Sequence, residues 1–321
     1  LQIAGDALFQ SGKLPEALRQ YEALIAVVPE SSSGYFRKGE VSRATQEFSE
    51  AETQYRLALE RAPGSPEVLT RLVGLLLQKK TPDVAIRLIE EQLEQSGHKA
   101  PLHQLLGHVY LTINEPTRAE EHLQRAIAVD KNLLAAYTAL GELYTRQRHP
   151  DKVIAQYQAM AAAAPTLPAP HMLLGTTYES QGREEDAMGE YERALQLDPR
   201  FAPAANNLAW LYSQRGKNLD VALDLAQTAM ERLPDDPHVS DTLGWIYYQK
   251  GAYLKAVSLL QDSARRLPDH AVVKYHLGMA YAKHGNIPAA TRELNAALGL
   301  DPSFSGAQEA KQTLAALKTP G

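Results

Sequence analysis

Residues 237–268, PHVSDTLGWIYYQKGAYLKAVSLLQDSARRLP, decide the fold, because their landmarks return at a fixed spacing along the chain. Gly244, Ala256 and Pro268 recur 34 residues later as Gly278, Ala290 and Pro302. The proline slot reads Pro29, Pro63, Pro165, Pro199, Pro234, Pro268 and Pro302, with Gly97 and Lys131 filling the two gaps. One step, Pro199 to Pro234, measures 35. A period of this size marks helical hairpins stacked side by side, with no single globular core.

With the proline at position 32, nine repeats follow: 1–31 (lacking its first three positions), 32–65, 66–99, 100–133, 134–167, 168–201, 202–236, 237–270 and 271–304. Position 8 is glycine in seven of them, with Val73 and Ala209 as exceptions. Position 20 is alanine in all but one, where Val153 stands. Tyr110, Tyr144, Tyr178, Tyr212, Tyr247 and Tyr281 share position 11. A mid-helix glycine costs up to about 1 kcal/mol against alanine, so its recurrence predicts a close helix–helix approach, with the alanine opposite. Large residues at positions 4, 7, 11 and 24 then fill the gaps at helical spacing. The proline ends each second helix. Repeat 3 lacks the glycine and the tyrosine, and repeat 7 carries an extra residue near Gly216 to Asp220, so these two are expected to be the least regular. Residues 305–321 predict a capping helix. Ala307, Ala310, Leu314 and Leu317 face the last repeat, and Gln308, Glu309, Lys311 and Gln312 face outward.

Composition narrows the function classes. The apolar fraction of 44% is ordinary for a folded protein, and no apolar run approaches the roughly 18 residues of a membrane span. A net charge of −5 with mixed signs argues against a nucleic-acid partner. The absence of cysteine excludes disulfides, Cys-ligated zinc and thiol catalysis. The chain opens on Leu1 inside the first repeat, which leads to the expectation of an excerpt from a longer protein.

The glycine, tyrosine, alanine and proline pattern resembles the tetratricopeptide repeat family over essentially the whole chain. The resemblance implies an all-α solenoid of helix-turn-helix repeats forming a right-handed superhelix. First helices would line a concave groove, with positions 2, 5, 9, 12 and 13 facing it. The phrases NNLAWLYSQRG and DTLGWIYYQKGAYLKAVSLL are similar to bacterial envelope members that accompany exopolysaccharide synthesis and export. A periplasmic setting is therefore favoured, with the cytoplasm as the alternative.

The repeats differ in what they would present to that groove. Asp241, Trp245 and Tyr248 form a stripe turned about 100° from the packing stripe Ser240, Leu243, Gly244 and Tyr247. Both tryptophans occupy position 9. The expected partner-binding residues are Asn206, Trp210, Gln214, Asp241, Trp245, Tyr248, Gln249, Tyr275 and Lys283, since aromatic anchors beside amides and charges are the usual make-up of a binding hot spot. The opposing reading has Trp210 and Trp245 stacked on each other as a brace between repeats. Earlier in the chain, Arg37, Glu40, Arg43, Arg71, Gln104 and His108 belong to a mixed-charge, solvated face. The carboxylate clamp of chaperone-binding members is absent, because Asn207 lacks its companions in the neighbouring repeats.

No catalytic motif or cofactor loop is present, so the chain reads as non-enzymatic, with no cofactor and no metal. The histidine spacings 103/108 and 276/284 are poor for one ion, and no carboxylate accompanies His276 at close spacing. The leading function is a scaffold for a protein or peptide partner, in an envelope or exopolysaccharide assembly. Carbohydrate-polymer binding by the groove aromatics and a homo-oligomerisation spacer are the alternatives.

Overall fold

The computed structural model describes residues 1–95, 97–216 and 218–318. Within them the chain is helical throughout: α1 (Gln2–Gln10), α2 (Leu14–Val27), α3 (Ser32–Ala44), α4 (Phe48–Arg61), α5 (Pro66–Gln78), α6 (Pro82–Gln95), α7 (Lys99–Thr112), α8 (Pro116–Val129), α9 (Leu134–Arg146), α10 (Pro150–Ala163), α11 (Ala169–Ser180), α12 (Glu184–Leu197), α13 (Ala202–Gln214), α14 (Leu219–Arg232), α15 (Pro237–Gln249), α16 (Tyr253–Arg266), α17 (Ala271–His284), α18 (Ile287–Leu300) and α19 (Ala307–Lys318). Two compact units divide them, Leu1–Ala163 and Ala164–Gly321.

From α1 to α18, each odd-numbered helix packs antiparallel on the even-numbered helix that follows. The recurrent glycine makes that possible, although what lies opposite it is not the alanine side chain. A Cβ on Gly39 would come within 2.6 Å of the Tyr55 ring, on Gly175 within 2.4 Å of Tyr191, and on Gly244 within 2.7 Å of Leu260. All three neighbours are at position 24. The position-20 alanine contributes its backbone, with Ala51 O at 3.4 Å from the same point on Gly39. The glycine is therefore a socket for one large side chain.

Chain direction at the junctions is set by local chemistry. The residue before each proline is held out of the α region, and Ala62 (φ −134°) and Asp198 (φ −141°) both end their helices in this way. Asp198 and Asp301 then accept backbone N–H groups two residues on, from Arg200 at 2.9 Å and Ser303 at 2.8 Å, which closes the turn. Asp236 does the same for His238 and so caps α15, whose first residue is Pro237. Arg61 and Arg266 tie each hairpin to the one before, donating to the Pro29 carbonyl (2.8 Å) and the Asp235 carbonyl (2.9 Å).

Repeat 3 keeps the helix lengths of its neighbours, but α5 and α6 pack on each other less closely than the two helices of any other repeat. Val73 and Leu76, standing where glycine and tyrosine would be, are both buried. In repeat 7 the turn holds two residues with left-handed backbone, Gly216 (φ 59°) and Asn218 (φ 56°), where most other turns hold one. Lys217, between them, lies outside the described residues. At the far end Ala307, Ala310 and Leu314 are buried against α17 and α18, and Leu317 packs on the same cluster. Glu309 is exposed, as expected of the outer face, and its Oε2 accepts the Tyr275 hydroxyl at 2.7 Å.

A tyrosine at position 24 recurs as a buried anchor, and its hydroxyl finds a carboxylate on the first helix. Tyr21 donates to Asp6 (2.8 Å), Tyr191 to Glu179 (2.7 Å) and Tyr55 to Glu40. Burial, followed by the adjacent carboxylate, raises the pKa of each. Tyr144 beside Glu120 is pushed up to about 12 for the same reasons. An unfolded chain ionises its tyrosines near pH 10, while the folded chain keeps these neutral, so their contribution is complete below that pH and lost as pH rises through the folded values. The expected result is a urea midpoint that falls steeply between about pH 10 and about pH 12. Tyrosinate absorbance should appear together with the loss of helical circular dichroism. Tyrosinate forming well before the helices melt would contradict it.

Candidate functional site

Several consecutive first helices touch directly: α5 with α7 and α7 with α9 in one unit, α13 with α15 and α15 with α17 in the other. Among the described residues no second helix makes comparable contact with the next second helix. The outward positions of these first helices share one face of each unit.

In Ala164–Gly321 this face is built from α13, α15 and α17. Trp245 is 8% exposed and stacks with His276 (ring centres 4.1 Å apart, planes at 23°) and with Tyr248 (4.6 Å, 13°). Trp210 meets the same His276 ring at 5.8 Å. The two indoles thus share a histidine between repeats, which differs from the brace in which they stack on each other. His276 is 2% exposed, with Nδ1 3.0 Å from both Asp241 oxygens. Tyr275 packs against Trp245 (5.7 Å) and Phe304 (5.3 Å), and its hydroxyl goes to Glu309.

The nine residues named from sequence separate by depth. Trp245, Tyr275 and Asp241 are buried and form the floor. Asn206, Trp210, Tyr248 and Gln249 are half-buried along it, and Gln214 and Lys283 are exposed at its rim. Gln249 Nε2 donates to the Ser213 carbonyl at 3.0 Å, tying α15 to α13. The Asn206 side chain opens a polar chain: its Nδ2 donates to Asn207 Oδ1 (3.4 Å), and Asn207 Nδ2 donates to the Tyr191 hydroxyl (3.3 Å). Burial pushes the Tyr248 phenol up to about 12, so it is a neutral donor at ordinary pH.

Sequence spacing missed His276. Its carboxylate partner is 35 residues away, at position 5 of the preceding repeat, and only stacking brings the two together. Position 9 of one repeat also lies against position 6 of the next, as Trp245 does against His276. The same relation pairs Asp6 with Arg37 (3.2 Å) and Glu40 with Arg71 (3.4 Å) in Leu1–Ala163. Arg37, Glu40 and Arg71, read as solvated surface, thus belong to an inter-repeat ladder in which Glu40 is buried and also meets Arg43 (3.4 Å) and Tyr55. Further along, Pro66, Thr70, Pro101, Gln104, Leu105 and His108 enclose a cleft of about 320 Å³.

Among the described residues no group of three or more His, Cys, Asp or Glu gathers at metal-binding distances, and no helix is long and apolar enough to cross a membrane. A family model described as tetratricopeptide repeat matches residues 4–66, 105–168 and 242–305, and two further models of that description match 170–201 and 190–220. The chain belongs to the tetratricopeptide repeat family. TPR repeats are protein–protein interaction scaffolds in general, and proteins built from them are generally non-catalytic. A TPR repeat-containing protein of Pseudomonas aeruginosa is 36% identical over 81 residues, covering 25% of this chain and 14% of that protein. The TPR chain thus spans a small part of that relative's length. Among solved structures, the APC/C hetero-tetramer Cut9–Hcn1 aligns over 95% of this chain and 59% of that one, at 16% identity and a TM-score of 0.59. PilF of Pseudomonas aeruginosa covers 67% of this chain and 97% of its own, at 18% identity and a TM-score of 0.56. Both likenesses concern the fold alone.

Proposed function

We propose that this TPR chain is a non-enzymatic scaffold holding a partner's polypeptide segment along the first-helix face of repeats 7–9. The observation that carries the reading is a half-open pair of rings, Trp210 and Tyr248, resting on the rigid Trp245–His276–Tyr275 floor. Fixed aromatic surface loses little conformational freedom on binding, so ring burial is realised as affinity. Gln214 and Lys283 at the rim, with Asn206 and Gln249, supply the polar contacts that set register. Trp245 and Tyr275 act from beneath, as support. The setting we favour is an adaptor in a bacterial envelope or exopolysaccharide assembly. It rests on the wording of residues 206–216 and 241–260.

The test replaces Trp210 and Tyr248 by alanine, separately and together, and measures partner recovery from the native organism, then affinity for the recovered partner by calorimetry. Each ring is expected to contribute about 2 kcal/mol or more, near 30-fold in Kd, with helical content intact. Unchanged recovery by a folded double variant would remove this face from consideration. Binding of a purified envelope glycan in place of a protein, with quenching of tryptophan fluorescence, would shift the reading to carbohydrate.

A further inference from the structure

His103 on α7 and His122 on α8 face each other across the hairpin of repeat 4, with their Nδ1 atoms 3.2 Å apart. We propose that this pair is a two-imidazole site for a divalent transition-metal ion, Zn²⁺ being the ion its geometry suits.

The slot itself is informative. His103 and His122 hold positions 4 and 23 of their repeat. In repeat 6 the same positions hold His171 and Glu190, 2.6 Å apart, and in repeat 9 Lys274 and Glu293, 3.2 Å apart. Those two copies pair a base with a carboxylate. Repeat 4 sets a base against a base, and two imidazole nitrogens that close need a shared electrophile between them. A proton is one such electrophile and a metal ion is the other. Two nitrogens bound to one tetrahedral Zn²⁺ at 2.0–2.1 Å lie about 3.3 Å apart, so the observed separation already matches the bite of that ion.

The surroundings hold the ligands in orientation. Tyr110 stacks on the His122 ring (5.4 Å, 27°), and the Arg118 guanidinium lies over the Tyr110 ring, 5.7 Å from its centre. Stacking of this kind holds the imidazole plane, much as an outer partner orients a metal ligand. The charges of Arg125 and Lys99 reach His103, and that of Arg125 also reaches His122. The Arg125 charge is answered by Glu121 at 2.5 Å, which limits its repulsion of an incoming cation. Both histidines are half-buried, so water can complete the shell and ions can enter.

The experiment is calorimetric titration of the metal-free protein with ZnCl₂, run on wild type and on His103→Gln, His122→Gln and His108→Gln. His108 is exposed on the same helix and reports adventitious binding to surface histidine. Wild type and the His108 variant should bind one equivalent. Either variant of the pair should lose at least the roughly 10–100-fold in affinity that disturbing a metal ligand's support costs. If a pair variant fails to fold, nuclear magnetic resonance of the wild-type histidine rings decides instead. Zn²⁺ should shift the His103 and His122 signals before those of other histidines. No binding by wild type, equal binding by all four proteins, or ring shifts elsewhere first would each overturn the proposal, leaving a plain imidazole–imidazole hydrogen bond.

Discussion

His276→Ala is expected to destabilise Ala164–Gly321 by about 3–5 kcal/mol, the cost of breaking a buried charged or hydrogen-bonded pair by deleting one partner. Two separate losses combine. Asp241, 8% exposed, keeps a carboxylate that has both oxygens 3.0 Å from the deleted nitrogen and little access to water. Trp245 loses the ring stacked on it at 4.1 Å, and Trp210 loses its contact at 5.8 Å. Because both indoles adjoin His276, tryptophan fluorescence reports the local event while circular dichroism reports the helices. Repeat arrays can unfold in stages, so hydrogen exchange along α15 and α17 should accompany the urea curve. The companion variant His276→Leu with Asp241→Leu should recover most of the loss, since well-packed apolar replacements of a buried pair are often neutral. A cost under about 1 kcal/mol for His276→Ala would mean that the pair does little to hold repeats 8 and 9 together.

Tyr191→Ala is the second large effect, again about 3–5 kcal/mol. The Tyr191 side chain is fully buried and fills the socket left by Gly175, where even one added carbon would lie 2.4 Å from the ring. Its hydroxyl links Glu179 (2.7 Å) to Asn207 (3.3 Å), joining repeat 6 to the polar chain of repeat 7. Two further variants separate packing from hydrogen bonding. Tyr191→Phe keeps the ring and should cost about 1 kcal/mol. Tyr191→Leu should be better tolerated than alanine, because Leu123, Leu260 and Leu294 already occupy this slot under Gly107, Gly244 and Gly278. If alanine proved no worse than phenylalanine, the socket argument would fail. Urea midpoints on the three proteins are sufficient to decide.

The elements of the fold were legible because they depend on local rules. Proline after an extended residue ends a helix, glycine at a fixed slot admits a partner helix, and the 34-residue period carries both along the chain. The socket was half legible. Glycine announced a close approach, but periodicity could not say whether Ala51 or Tyr55 would occupy the space opposite Gly39, since both face it at helical spacing. The candidate site was legible as a face and illegible in depth. Rotation of about 100° per residue placed Asp241, Trp245 and Tyr248 on one stripe. Whether a ring on that stripe is open or covered depends on the neighbouring repeat.

By itself, then, the sequence determined the repeat, the helical hairpins, the family and the face on which the aromatics gather, because each follows from residues a few turns apart. The tertiary structure alone decided that Trp245 is floor and Trp210 is open edge, that His276 belongs to Asp241, that the Tyr275 hydroxyl meets Glu309, and that His103 meets His122. Those pairings lie 19 to 35 residues apart. They are set by how one helix leans on the next, a quantity that a periodic pattern repeats but does not specify.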